Sequence, residues 1–425
     1  MVVMKAYFDE ALETMSSDKR QRYYSEKIKE TVHYAYENSP FIKRHLDEAG
    51  IKPAAINGPD DLIKIPVIKK EDVREAHRRS PPFGDVIAVR PDQLQRIYMS
   101  PGPIYDPECK GELRLKESKA LFGAGLRPQD RVIVTFSYHL VPAGLLFDTA
   151  LRGFNATVIP AGVGNTELQV GLMRDLSVTG YIGTATFLLN LINKAEELKC
   201  PFGENIILKS AILTGEKVPE SLRDTFEKNY GIKTGQVYGT AEIGLFAYEC
   251  SEHSGMHVCE EVLIEIVDPK TGCNVTPGEV GEIVVTFFDH TLPLIRFGTG
   301  DLSYVNMEPC SCGRTSTRLA EIVGRVGDSF KVRGMFVHEP QVKEVLKKVN
   351  GISKGALIIT RKNQRDQLTV KVELNDQSVN KDEVRQILGK DFRDACRLKI
   401  DQVEFLPMGI IGPEEKALVD ERTWD

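Results

Sequence analysis

Cysteine is scarce in this chain, with 8 among 425 residues. That is too few for a disulfide scaffold, so a reducing cytoplasm is the expected compartment. No apolar run reaches the roughly 18 residues that read as a membrane span, and none is expected. The opening residues Met1 to Tyr7 soon meet Asp9 and Glu10. They lack the charged-then-apolar pattern of a secretory leader. Positive charge is not in excess either: 55 Lys and Arg against 61 Asp and Glu leave a net charge of −6. A general nucleic-acid binder needs the opposite balance to displace counterions, so nucleic acid is not an expected partner. A small anion held by a few local donors remains compatible with this charge. Internal repeats and low-complexity tracts are absent.

What is present is a globular composition, 41% hydrophobic and 27% charged, on a chain long enough for two or three domains. Residues 20–50 read as two amphipathic helices. Ile28, Val32 and Ala35 share a face, Ser39-Pro40 breaks the run, and Gly50 closes the second helix. From about residue 130 the pattern alternates strand and helix. Runs at 132–136, 156–160 and 181–183 read as strands, with helix faces marked by Leu168, Leu172 and Leu176, then by Leu188, Leu191 and Ile192. The clearest unit is 210–238. Ser210 to Thr214 is a strand, Pro219 and Glu220 open a helix, Gly231 ends it, and Lys233 to Val237 is the next strand. Such a βαβ unit implies a parallel sheet and an α/β class. Beyond a charged, glycine-bearing stretch near 306–328, a small α+β pattern follows. There Leu368, Val370, Val372 and Leu374 alternate with Thr369, Lys371 and Glu373, so one sheet face is expected to be wet. The expected domains are 1–325 and 326–425.

Five features occur in order. Thr214-Gly215-Glu216-Lys217 lies at a strand end, where Gly215 lets backbone approach a flat ligand. Gln236-Val237-Tyr238-Gly239-Thr240-Ala241-Glu242 offers a ring for stacking, a glycine, a hydroxyl and a carboxylate. It falls at the carboxyl end of a strand, where open α/β sheets bind ligands. Leu294 to Leu302 contains Asp301 after a glycine turn, and a carboxylate can accept from both ribose hydroxyls. Gly324-Arg325-Val326-Gly327-Asp328, with Lys331 to Gly334, marks the domain boundary. Glu414-Glu415-Lys416-Ala417 stands near the end.

This ordered set resembles the phenylacetate–CoA ligase family of the adenylate-forming (acyl-CoA synthetase) superfamily. Asn38-Ser39-Pro40-Phe41 and Leu62-Ile63-Lys64-Ile65-Pro66-Val67 extend the resemblance over most of the chain. It implies a large N-terminal adenylate-forming domain with parallel-containing sheets, followed by a small mobile lid domain. It also implies a two-step reaction: a carboxylic acid and ATP give an acyl-adenylate and pyrophosphate, then coenzyme A displaces AMP. By the same resemblance Tyr238 stacks on adenine beside Gly215, Glu216 and Gly239. Thr240 meets the α-phosphate, Glu242 holds Mg²⁺, and Asp301 binds ribose with Arg325 nearby. Lys416 supplies a mobile cation to the transferring oxygens. A homodimer is compatible with the family.

One departure concerns the phosphate loop. The family loop is rich in Ser, Thr and Gly; here the stretch is Tyr98-Met99-Ser100-Pro101-Gly102-Pro103-Ile104-Tyr105. Only Ser100 and Gly102 match, and two prolines remove two N–H donors. Transfer to an acceptor other than coenzyme A, or binding of AMP or acyl-adenylate without turnover, are the alternative readings.

Cys250, His253 and His257, with Cys310-Ser311-Cys312, combine thiolates and imidazole at two short spacings, a set suited to tetrahedral Zn²⁺. Cys250, His257, Cys310 and Cys312 are the expected ligands, with His253 in reserve. Four protein ligands leave no open position, so the zinc is expected to be structural. Phe136, Tyr138 and His139 follow a strand end where the family places substrate contacts. Aromatic walls there favour an aryl or medium apolar acid.

Overall fold

The computed structural model describes residues 6–99, 104–111, 114–326, 329–333, 335–362, 365–376, 379–396, 398–412 and 415–422. They fall into two compact units, Met1–Ile322 and Val323–Asp425. Among the described residues no helix is long and apolar enough to cross a membrane.

After a single helical turn at Glu10–Glu13, the first unit continues with α1 (Ser17–Asn38) and α2 (Pro40–Glu48). Ser39 separates them. Its backbone is extended, its hydroxyl accepts from the Ile42 N–H at 3.3 Å, and Pro40 occupies the first helical position. Ile28, Val32 and Ala35 form the fully buried face of α1. A third helix, α3 (Lys70–Arg79), precedes an antiparallel hairpin of β1 (Leu94–Met99) and β2 (Tyr105–Cys109).

The main sheet follows. Its parallel half contains β3 (Arg131–Val134), β4 (Thr157–Ile159), β5 (Gly180–Gly183), β6 (Ser210–Leu213) and β7 (Lys233–Thr240). Helix α4 (Ala143–Arg152) joins β3 to β4, while α5 (Thr166–Asp175) joins β4 to β5 and α6 (Ala185–Glu197) joins β5 to β6. Between β6 and β7 the expected helix is split: Glu220–Asp224 is α-helical and Thr225–Asn229 makes a π-helical turn. Gly231 then turns the chain at φ +66°. The other half is antiparallel: β8 (Gly244–Glu249), β9 (Met256–Val258), β13 (Val305–Asn306) and β14 (Arg318–Leu319). The order is β13-β14-β9-β8-β7-β6-β5-β3-β4. Strand β7 pairs parallel with β6 and antiparallel with β8, so its carboxyl end lies where the sheet changes sense. A separate antiparallel run joins β10 (Val262–Val267), β11 (Gly281–Phe287) and β12 (Phe297–Ser303).

The second unit is α+β. A hairpin of β15 (Ser329–Val332) and β16 (Met335–His338) leads into α7 (Glu339–Lys348). Then come β17 (Ile352–Lys362), β18 (Arg365–Leu374), α8 (Lys381–Cys396), β19 (Gln402–Leu406) and β20 (Leu418–Asp420), with sheet order β19-β18-β17-β20. Leu368, Val370 and Val372 are fully buried in the same core as Val342, Leu388 and Phe392. The opposite face is not uniformly wet. Glu373 is only 2% exposed, because its carboxylate accepts the Ile411 N–H at 2.5 Å and organises the 407–412 turn. That bond holds the carboxyl below its ordinary value.

Candidate functional site

At the end of β7 the pairing with β8 slips one residue between Tyr238 and Gly239. Gly239 allows this, since a Cβ there would stand 2.2 Å from the Gly244 carbonyl oxygen. The slip leaves Tyr238 half-buried with its ring edge on Phe246, centroids 5.0 Å apart. The Tyr238 hydroxyl donates to Asp301 Oδ2 at 2.9 Å, joining two residues 63 apart in sequence. Asp301 follows Gly300, whose φ of +77° lies at the irregularity in the pairing of β12 with β11 and whose N–H donates to Glu282 at 3.0 Å. Burial pushes the Glu282 carboxyl up.

Thr240 Oγ1 is buried and has no hydrogen-bond partner among the described residues. A buried hydroxyl without a partner is costly, so it marks a place for a ligand acceptor. Two residues on, the Glu242 side chain is 3% exposed. Lys70, at the start of α3, places its ammonium 3.2 Å from one carboxylate oxygen and 3.4 Å from the other. The sequence reading did not single out Lys70; the Lys69-Lys70 pair just after Ile65-Pro66-Val67 was its only signal. A small cavity of about 30 Å³ adjoins Glu242 and includes Ala241, Ile243, Tyr98, Asp106 and Arg114 in its wall.

Gly215 follows β6 at φ +83°, with the Phe136 ring and Thr184 in van der Waals range of where a Cβ would lie. The Glu216 carboxylate accepts the Thr186 N–H at 2.6 Å, at the N-terminus of α6. It is therefore engaged with the N-terminal end of that helix. Phe136 stacks on Phe147 at 5.4 Å. The Tyr138 ring lies against Gly144, where a Cβ would come within 2.7 Å of it. Its hydroxyl is buried without a partner among the described residues, and burial raises its pKa. His139 is exposed, and its backbone N–H donates to Ser137 Oγ at 3.1 Å. Ser100 lies outside the described residues, as do Pro101, Gly102 and Pro103.

The hairpin around that stretch has an anchor the sequence did not advertise. Buried Glu108 accepts from Tyr98 Oη at 2.6 Å, Arg96 at 2.6 Å and Arg114 at 3.1 Å. Burial pushes its carboxyl up, but the Tyr98 bond and the Arg114 charge outweigh this and leave it lowered.

In the second unit Lys416 is exposed, immediately before Ala417. The Ala417 N–H donates to Glu339 at 2.8 Å and its carbonyl accepts from Leu357 N–H at 2.8 Å, which fixes the start of β20. Arg325 is exposed in the two-residue strand Gly324–Arg325. Gly327, Asp328, Gly334 and Glu414 lie outside the described residues.

The structure brings Cys250, His257, Cys310 and Cys312 together, with one ligand atom from each inside a 4.8 Å span. Cys250 directly follows β8, His257 sits on β9, and both other cysteines come from the loop between β13 and β14. Cys250 Sγ lies 3.7 Å from Cys310 Sγ, and His257 Nε2 lies 3.3 Å from Cys312 Sγ. Ligands about 2.0–2.3 Å from a tetrahedral zinc stand roughly 3.3–3.8 Å apart, so the set fits the ion. His257 is fully buried, and its Nδ1 meets Ser316 Oγ at 3.3 Å, which orients the ring. The interaction with Cys250 holds the Cys312 thiol below its ordinary value and pushes that of Cys250 up. His253 is not a reserve ligand. Its Nδ1 is 2.8 Å from Arg223 Nη1 and 3.4 Å from Glu249, so it belongs to an ionic group beside the cluster.

Comparison with known proteins places the chain in a family. Residues 115–286 match the family model of AMP-binding enzymes. The phenylacetate–coenzyme A ligase of Thermus thermophilus is 33% identical over 383 residues, covering 86% of this chain and 84% of that protein. That of Escherichia coli is 32% identical over 382 residues, covering 87% and 85%. Among solved structures, an open 2-hydroxyisobutyryl-CoA ligase bound to 2-HIB-AMP and CoA shares the fold with a TM-score of 0.90. It is 24% identical, and the match covers 99% of this chain and 95% of that one. The extent of identity to these ligases across both units makes the chain a member of the phenylacetate–coenzyme A ligase family.

Proposed function

We propose that this protein is an AMP-forming carboxylate–CoA ligase that activates an aryl acid as its acyl-adenylate and passes it to coenzyme A in the cytoplasm. The observation that carries the nucleotide corner is the Tyr238–Asp301 hydrogen bond at the sheet's change of sense, with the unpartnered Thr240 hydroxyl two residues along β7.

In the first step a substrate carboxylate oxygen attacks the α-phosphorus of ATP and the bond to pyrophosphate breaks. The Tyr238 ring offers adenine a face, Gly215 lets backbone close on it, and Asp301 accepts from the ribose. The Thr240 hydroxyl donates to an α-phosphate oxygen. Glu242 is the residue that would hold Mg²⁺, whose charge offsets that of the phosphates. Lys416 supplies a cation where charge grows on the transferring oxygens. In the second step the CoA sulfur attacks the acyl carbon and AMP leaves. Phe136 and Tyr138 give the acid an aromatic wall, and the buried Tyr138 hydroxyl gives it one polar contact. Cys250, His257, Cys310 and Cys312 would hold a structural zinc that takes no part in either step.

Pyrophosphate exchange across a panel of aryl acids, followed by CoA-dependent AMP release, tests the reading. Exchange with at least one acid and CoA-dependent release are expected. Exchange without CoA dependence points to another acyl acceptor. AMP binding with no exchange for any acid points to a non-catalytic binder, the alternative motivated by the prolines at 101 and 103.

A further inference from the structure

Glu249 stands between the two sites described above and belongs to neither. It is the last residue of β8, directly before Cys250, and is 6% exposed. A carboxylate so buried is tolerated only with several donors. Two come from Arg223 Nη2, which lies 3.1 Å and 3.0 Å from its two oxygens. Two more come from Gln236, whose backbone N–H donates to Oε2 at 2.9 Å and whose side-chain amide donates to Oε1 at 3.0 Å. Arg223 in turn donates to Thr234 on β7 at 2.8 Å.

Gln236 opens the stretch that ends at Glu242. One residue along the ladder, Val237 pairs with Tyr248, and Tyr248 pairs with His257 on the other side. The Gln236 N–H, which would otherwise seek a strand carbonyl, is taken by a side chain whose own backbone runs into the first cluster cysteine. Strand β7 is thereby fixed, two residues before the ring of Tyr238, to the segment whose next residue is Cys250.

We propose that Glu249 is a positioning residue that couples metal occupancy of the Cys/His cluster to nucleotide affinity at Tyr238 and Thr240. The proposal rests on the nucleotide reading given above. When zinc holds Cys250, the end of β8 has one position, Glu249 meets Gln236, and the Tyr238 ring and Thr240 hydroxyl are set for AMP. When the cluster is empty, Cys250 is released, that anchor loosens, and AMP must order it. Linkage requires the reverse effect as well: AMP tightens zinc by the same factor.

The test measures AMP binding by calorimetry on full-length zinc-loaded wild type, Glu249→Gln and Glu249→Ala, with the KM for CoA and the melting temperature taken in parallel. Glu249→Ala is expected to weaken AMP about tenfold with the KM for CoA unchanged. Glu249→Gln, which retains a carbonyl oxygen for the Gln236 N–H, recovers most of that loss. Removing zinc by chelation weakens AMP by a similar factor in wild type and adds little in Glu249→Ala, because the two act through one contact. If chelation unfolds the protein, the reciprocal measurement decides the matter: by competition with a chelator, AMP is expected to tighten zinc about tenfold in wild type and little in Glu249→Ala. A folded Glu249→Ala that binds AMP as wild type does, or additive effects of chelation and substitution, overturns the coupling. Wild type that binds no AMP overturns the nucleotide reading itself, and the coupling with it.

Discussion

Lys70 and Glu242 form an ion pair in which one ammonium spans both carboxylate oxygens, at 3.2 Å and 3.4 Å. The carboxylate is almost wholly buried while the lysine is about one-third exposed. The chain thus carries its own counter-charge at the residue proposed for Mg²⁺. Lys70→Ala strips a buried carboxylate of its partner, which costs about 1–3 kcal/mol in general. Solvent access to Lys70 puts this pair at the lower end. The variant is expected to melt below wild type without Mg²⁺ and to regain most of the difference at millimolar Mg²⁺. Thermal melts with and without the ion check this; a deficit indifferent to Mg²⁺ contradicts the assignment of Glu242.

The Tyr238 ring and hydroxyl have separable roles. Tyr238→Phe keeps the stacking face and loses the bond to Asp301, a loss of about 0.5–1.5 kcal/mol. AMP affinity is expected to fall roughly three- to tenfold. Tyr238→Ala removes the face as well and is expected to fall further. Equal losses in the two variants, read by calorimetry, would mean that the ring does not contact adenine.

Lys416→Ala is expected to lower acid-dependent pyrophosphate exchange by about 100-fold or more, the usual effect of removing one group aimed at developing charge. AMP binding is expected to stay within a few-fold of wild type. Retained exchange would remove the small unit from the first step.

Glu282 gives a pH signature. Burial raises its folded carboxyl pKa above the unfolded value. Between those two values the folded state binds more protons, so stability is full below the unfolded pKa and falls as pH rises through the raised folded value. Glu282→Gln keeps an acceptor for the Gly300 N–H and removes the titration. Its melting temperature is expected to lose that fall and to exceed wild type at neutral pH. Parallel melts across pH 4–8 (about that range suffices for a raised carboxyl) decide it.

The parallel half of the fold was legible because its strands and helices alternate with capping residues at the joins, as at Pro219 and Gly231. The antiparallel half was not. All six residues of β8 are buried, so the strand shows no period-two pattern, and β9 has only three residues. In the site, Tyr238, Asp301 and the cluster cysteines stood out through local spacing. Lys70 and Glu108 did not, since each acts through partners distant in sequence or scattered along a hairpin. The choice between His253 and His257 likewise needed the fold: His257 lies on β9 opposite Tyr248, whereas His253 turns back toward Arg223. The divided helix before β7 was unreadable because a π turn changes no hydrophobic spacing that single residues reveal.

The Cys/His cluster also bears on the unfolded chain. Its two cysteine-bearing segments are separated by 60 residues, Cys250 to Cys310. A cross-link closing such a loop restricts the denatured ensemble by about 4 kcal/mol in the chain-entropy treatment. A bound ion would therefore act as a covalent bridge acts in a secreted protein, yet survive where thiols stay reduced. It would clamp β8, β9 and β14, strands with little alternating pattern of their own, into one folding unit. Metal supply, rather than oxidation, would then determine whether that half of the sheet persists.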